Sequence, residues 1–189
     1  VTGRRRESLA ERRERRAAID DPDVVLQAAA RFLEGRARSV AEVRGRLGRA
    51  GFRSDLIEAA VARMTELGML DDESFGRAWV ESRDRAHPRG ERALRRELQL
   101  KGLDRELIDG VLGDRRDAAN ASGEEAATVD LDAAVRLIAK NARALERVAD
   151  PRARRQRAYA LLARHGFDPE TCREAANRSL DGDPDTEAE

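Results

Sequence analysis

RALRRELQLKGLDRELIDGVL, from Arg92 to Leu112, decides the fold. Leu94 and Leu98 stand four residues apart and so share one side of a helix. Gly102 interrupts that periodicity four residues after Leu98, and Leu103, Ile108 and Val111 begin a second apolar stripe beyond it. Glycine adopts positive φ without steric cost. The stretch therefore reads as two packed helices joined at a left-handed corner, clamped by the apolar residues on either side.

The corner recurs twice. EVRGRLGRAGFRSDLIEAAV (Glu42–Val61) and RAYALLARHGFDPETCREAA (Arg157–Ala176) carry Gly51 and Gly166 in the place of Gly102. Leu47, Leu98 and Leu162 precede these glycines by four residues, and Phe52, Leu103 and Phe167 follow them directly. Further on, Ile57, Ile108 and Cys172 correspond, as do Ala60, Val111 and Ala175. Another helix precedes each pair. The first holds Val25, Ala28, Ala29 and Phe32, the second Phe75, Ala78, Trp79 and Ser82, and the third Leu131, Ala134, Val135 and Ile138. No segment alternates with period two, so the pattern predicts an all-α fold of three tandem three-helix modules. A module of ~50 residues buries too little surface to stand alone, so the modules are expected to stack as an elongated, curved rod.

Local signals set the boundaries. Asp20, Asp21 and Pro22 read as the N-cap and first turn of module 1, residues 21–70. Within it, Ser39 and Glu42 form a capping box before the stripe Val40, Val43, Leu47 and Ala50. Ser54 is expected to cap the next helix, with Leu56, Ile57, Ala60, Val61, Met64 and Leu67 inward and Gly68 as its stop. Modules 2 and 3 span 71–116 and 128–180, separated by an acidic linker over 117–127. Residues 1–20 carry seven Arg against three Glu and Asp20 with no apolar stripe, and read as a charged mobile arm. Residues 181–189 carry five acids and no base, and read as a disordered tail.

The inventory for catalysis is thin. Cys172 stands where the other repeats have isoleucine, the position of a small buried core residue rather than a reactive thiol. His87 lies before Pro88 in a turn and His165 at a helix C-terminus; with one cysteine these make no metal site. Asp71, Asp72 and Glu73 could hold a divalent ion, but they also suit the cap and first turn of the following helix, which is the reading preferred. Trp79 stands at core spacing with Phe75 and Ala78. No phosphate loop, dinucleotide fingerprint or nucleophile elbow occurs. One cysteine, no apolar run of membrane-spanning length and no signal peptide point to the cytoplasm.

Charge is more informative. Formal net charge is zero, from 37 bases and 37 acids, yet the bases cluster. Residues 83–101 hold seven (Arg83, Arg85, Arg89, Arg92, Arg95, Arg96 and Lys101) against three acids. Arg89, Arg92 and Arg96 align opposite Leu94 and Leu98 on a helix read as starting near Arg89, and Arg95 also lies away from those leucines. Residues 143–164 hold seven Arg against two acids, with Arg154, Arg157 and Arg164 on one face. Such stripes suit a phosphate backbone or an acidic protein groove, or are solvated surface in an arginine-rich chain. Without interleaved aromatics they do not read bases.

LDDESFGRAWVESR (Leu70–Arg83), followed by a glycine turn and Leu94-Arg-Arg-Glu-Leu98 before Lys101-Gly102, resembles the RecX regulatory proteins. The Ser39-to-Leu47 pattern and Gly68-Met-Leu-Asp-Asp72 are similar too. His87-Pro-Arg-Gly90 stands where the family has a small residue and glycine. The resemblance is strong over 22–116 and weaker over 128–180. It implies three tandem three-helix repeats and a cytoplasmic, non-enzymatic modulator of DNA recombination and repair. Such a modulator binds RecA and its filament on single-stranded DNA and restrains filament growth and activity. No cofactor, metal or membrane is implied, and a monomer is expected, with direct single-strand contact as a further partner. From the residues alone the alternative stays open: a free-standing DNA-binding module of helix-turn-helix type.

Overall fold

Apolar periodicity broken by caps and glycines builds eleven helices among the described residues, which are 7–121 and 128–180 of a computed structural model. They are α1 (Leu9–Ala17), α2 (Pro22–Leu33), α3 (Val40–Ala50), α4 (Ser54–Glu66), α5 (Asp72–Ala86) and α6 (Glu91–Leu100). After these come α7 (Arg105–Ala121), α8 (Thr128–Lys140), α9 (Ala142–Glu146), α10 (Pro151–Arg164) and α11 (Pro169–Leu180). The fold is all-α, with no strand among the described residues. Helices α2–α4, α5–α7 and α8–α11 occupy the three repeats, the third carrying the short α9 in addition.

The glycine corners form as the repeat requires. Gly51, Gly102 and Gly166 have φ of 99°, 84° and 83°. The amide of the residue after the glycine reaches back to the matched leucine, Phe52 N–H to the Leu47 carbonyl and Phe167 N–H to that of Leu162, each at 3.3 Å. Leu47, Leu98 and Leu162 are buried, as are Ile57, Ile108 and Cys172. Burial pushes the Cys172 thiol pKa up, which suits a packing role.

The chain forms two compact units. One takes the described residues up to Phe75 together with Lys101–Leu103; the other takes Gly76–Leu100 and the described residues from Asp104 onward. In the first, Val25, Ala29, Val43, Leu47, Ile57, Val61, Met64 and Leu70 form the core. There Ser39 is the one buried polar residue among those described. Its hydroxyl donates to the Lys101 carbonyl (2.6 Å) and accepts from Glu42 N–H (3.2 Å). Glu42 closes the capping box by accepting from Ser39 N–H (3.3 Å), and also accepts from Arg36 (2.9 Å) and Lys101 Nζ (2.9 Å). Burial alone would raise its carboxyl pKa. The donors outweigh that and lower it to about 2.

In the second unit Leu131, Ala134, Leu137, Ile138, Leu162, Phe167 and Cys172 pack into one cluster. Arg115 of α7, only 7% exposed, bridges Asp84 of α5 (2.9 Å) and Asp130 of α8 (2.7 Å). Burial opposes its charge, but the two carboxylates prevail and raise its pKa. Asp130 also accepts from Glu91 N–H (2.9 Å), so a residue of α8 caps α6.

Each corner glycine has a helix against it. A Cβ on Gly51 would meet the Arg13 Cα of α1 at 2.8 Å; on Gly102 it would collide with Ala41 of α3; on Gly166 it would meet the Ala93 nitrogen of α6 at 2.7 Å. Gly90, whose N–H donates to the His165 carbonyl, likewise has no room for a Cβ beside the Gly166 backbone.

Several readings need correction. The expected mobile arm contains α1, opened by a Ser8–Glu11 capping box and tied down by Arg16, which donates to the Ala50 carbonyl (3.3 Å). The expected linker begins inside α7, which runs to Ala121; the rest of it, 122–127, and the tail at 181–189 lie outside the described residues. Ser54 does not cap α4: Arg53 is the N-cap, without a side-chain cap bond, because a guanidinium has only donors and cannot accept from a helix N–H; it donates to Asp55 (2.6 Å). Leu67, read as inward, is half exposed at the helix end, and Leu70 is buried instead. On α5 Ala78 and Ser82 face solvent, while Val80 joins Phe75 in the interior. Trp79 is half-buried, its indole N–H donating to Glu97 (2.9 Å). The Asp71–Glu73 cluster is a cap: Asp71 accepts from Glu73 N–H (2.9 Å) and Asp72 from Val40 N–H (2.8 Å).

Candidate partner and nucleic-acid interface

The ten bases named from the sequence divide by what holds them. Arg83 donates to Glu97 (2.6 Å) with its guanidinium 4.4 Å from the Trp79 ring centre, and Arg89 lies 3.5 Å from the same carboxylate. Arg89 precedes α6, which begins at Glu91, and is half-buried, so it does not extend the stripe as expected. Arg95, also half-buried, pairs with Asp109 across the corner and with Glu91 one turn back (3.2 Å). The hydrogen bond to Asp109 raises its pKa, so it is a structural cation rather than a free one. Arg85 pairs with Glu81 on its own helix, and Lys101 with Glu42. Arg154 turns inward: its Nε donates to the Val148 carbonyl (3.0 Å) and it lines a small cavity of 460 Å³ with Leu145 and Leu180.

Four remain. Arg92 and Arg96, one turn apart on α6, and Arg157 and Arg164 on α10, are exposed and have no ion-pair partner among the described residues. Their helices are held from the opposite side, α6 by Leu94 and Leu98 and α10 by Ala158 and Leu162. The surface thus offers guanidinium forks without local carboxylates, suited to phosphate or carboxylate oxygens. Sequence reading missed the acids that neutralise the others. Glu81 and Glu91 lie four residues before Arg85 and Arg95 and were legible as helix pairs. Glu97 and Asp109 reach across a corner and carry no local signal. No grouping of His, Cys, Asp and Glu among the described residues could hold a metal ion, and no helix there is long and apolar enough to cross a membrane.

Comparisons with known proteins follow the repeats. Models of the RecX first, second and third three-helix domains match residues 26–64, 71–112 and 128–176. A regulatory protein RecX of Mycolicibacterium vanbaalenii is 44% identical over 82 residues, 43% of this chain and 45% of that one, so the match spans less than half of that relative. One of Chlorobium phaeobacteroides is 33% identical over 161 residues, covering 85% of this chain and 97% of its own. The crystal structure of RecX from Lactobacillus salivarius superposes with a TM-score of 0.69 at 19% identity, covering 86% of this chain and 97% of that one, a likeness of fold. Matched along all three repeats, the chain belongs to the RecX family of regulatory proteins.

Proposed function

We propose that this chain is a cytoplasmic, non-enzymatic regulator that binds RecA and its filament on single-stranded DNA and restrains RecA activity. The family membership supports a regulatory role, and one observation carries the interface. Arg92, Arg96, Arg157 and Arg164 stand exposed and without carboxylate partners among the described residues, on the middle helices of two repeats. Several weak contacts made together raise effective concentration, so such a protein needs no deep pocket. Arg83, Arg85, Arg89, Arg95 and Lys101 support the surface by fixing acids and helix ends, and Arg154 by closing the α9–α10 turn.

The test is RecA ATP hydrolysis on single-stranded DNA, titrated with wild-type protein and with R92E/R96E. The wild type lowers the rate. The variant keeps its circular dichroism and melting and loses most of the inhibition. Undiminished inhibition would move the interface to Arg157 and Arg164. Absence of any wild-type effect, together with tight binding to naked duplex, would replace the reading by that of a free-standing DNA-binding module.

A further inference from the structure

In the first unit a cleft of about 1040 Å³ opens between α1, α2 and α3. Arg12, Arg13 and Arg16 reach it from α1, Arg31 from α2, and Arg46 and Arg49 from α3; no carboxylate lines it. Arg12 lies 3.7 Å from Glu7, and Arg16 is spent on the Ala50 carbonyl. Arg13, Arg31, Arg46 and Arg49 have no ion-pair partner among the described residues. Like charges meet here. Although α1 also carries Glu11 and Glu14, it turns Arg12, Arg13 and Arg16 to the cleft, against a face that already carries three arginines. Coulomb repulsion between the two sets opposes this arrangement. An anion between the two faces would reverse the sign of that interaction.

Aromatic groups share the cleft. Phe32 and Phe52 line it, both partly exposed. The Arg46 guanidinium lies 5.7 Å from the Phe32 ring centre and that of Arg16 5.6 Å from Phe52. Such stacking occupies the face of a guanidinium and leaves its in-plane N–H donors available for oxygen. Cations interleaved with aromatic rings suit a chain of alternating phosphates and bases; an acidic peptide would match only the cations.

We propose that this cleft binds the phosphodiester backbone of single-stranded nucleic acid, with Arg13, Arg31, Arg46 and Arg49 on phosphates and Phe32 and Phe52 beside bases. The inference rests on the reading above in that both place a single strand against this protein. It adds a second contact, on another unit and with other arginines.

The experiment is fluorescence anisotropy of labelled oligo(dT) with the full chain across a series of KCl concentrations. The test variant is R31A/R46A/R49A, compared with R92A/R96A; these side chains are exposed, and unchanged circular dichroism and melting verify the fold. The cleft variant should bind at least tenfold more weakly at low salt, with a salt slope reduced by about 2, at about 0.7 per lost phosphate contact. Unchanged affinity and slope in that variant would overturn the proposal. So would equal affinity for a duplex of the same length, or tighter binding of polyglutamate of equal charge than of oligo(dT). The filament reading fails separately: a wild type that inhibits RecA yet ignores oligo(dT) sinks only the cleft, and one that binds oligo(dT) through the cleft without affecting RecA sinks only the filament.

Discussion

Leu98 and Gln99 are neighbours with opposite surroundings, the first buried in the repeat and the second in solvent. Leu98→Asp should lower stability by roughly 3–5 kcal/mol, from lost burial and a desolvated charge, whereas Gln99→Asp should leave the melting temperature almost unchanged. Thermal denaturation of the pair checks the helical register. Glu42 gives a pH-dependent test. Its pKa in the fold, about 2, lies below the ordinary 4.5, so the stabilisation it contributes is present above pH 4.5 and is lost as pH falls toward 2. E42Q should melt below wild type at pH 7, and the gap should close over that window. At this scale the sequence showed burial well, because leucine and isoleucine at helical spacing have few other places to go. It separated Arg95 from Arg96 only in part: the helix pair with Glu91 was legible, but the pair with Asp109, which reaches across the corner and helps to half-bury Arg95, was not.

Ser39 and Ser8 open their helices by the same capping box, yet only α3 was legible, because an apolar stripe follows its cap. Around α1 the box precedes LAERRERRA, where arginine stems and one backbone contact replace a buried face. Residue type misled at α4, where a serine suits a cap but the repeat position lies one residue earlier. Asp104 and Asp168 stand two residues after their glycines and accept from backbone amides, but Arg53 occupies that place in the first repeat. Helix packing can be probed through glycines alone. Gly90→Ala puts a methyl group into the Gly166 backbone and should cost several-fold more than an ordinary surface change, on the order of 2–4 kcal/mol as overpacking. Gly110→Ala, within α7 and with open space around it, should instead stabilise by about 0.5–1 kcal/mol. Urea denaturation of both variants reads the contrast. Arg115→Met should also destabilise by about 3 kcal/mol, since Asp84 and Asp130 would lose a buried partner.

Across the whole molecule, the three-fold repeat was the strongest signal, since a glycine flanked by matched apolar residues recurs at Gly51, Gly102 and Gly166. The basic surface was legible only in part. Arg92 and Arg96 sit on one helix and announce themselves, whereas Arg13, Arg31 and Arg49 come from three helices and meet only after folding. Far-ultraviolet circular dichroism should be dominated by helix and should not respond to chelators or nucleotides, because packing alone completes the cores.

The helix lying over Gly51 has a consequence for polymer chemistry. Gly102 is covered by α3 and Gly166 by α6, both helices from the body of a repeat, but Gly51 is covered by α1, which belongs to none. Such a helix is an end group. Stripped of residues 1–19, the chain would bare the Gly51 corner, the kind of surface on which a middle helix sits at Gly102 and Gly166. Because the helix as donor and the corner as acceptor are different surfaces, growth would run head to tail, to a ring if the rotation closes and to an open chain if it does not. Sedimentation velocity should then show association that rises with concentration, absent from the full chain, and a synthetic peptide spanning α1 should terminate it as a monofunctional monomer stops a step-growth polymer.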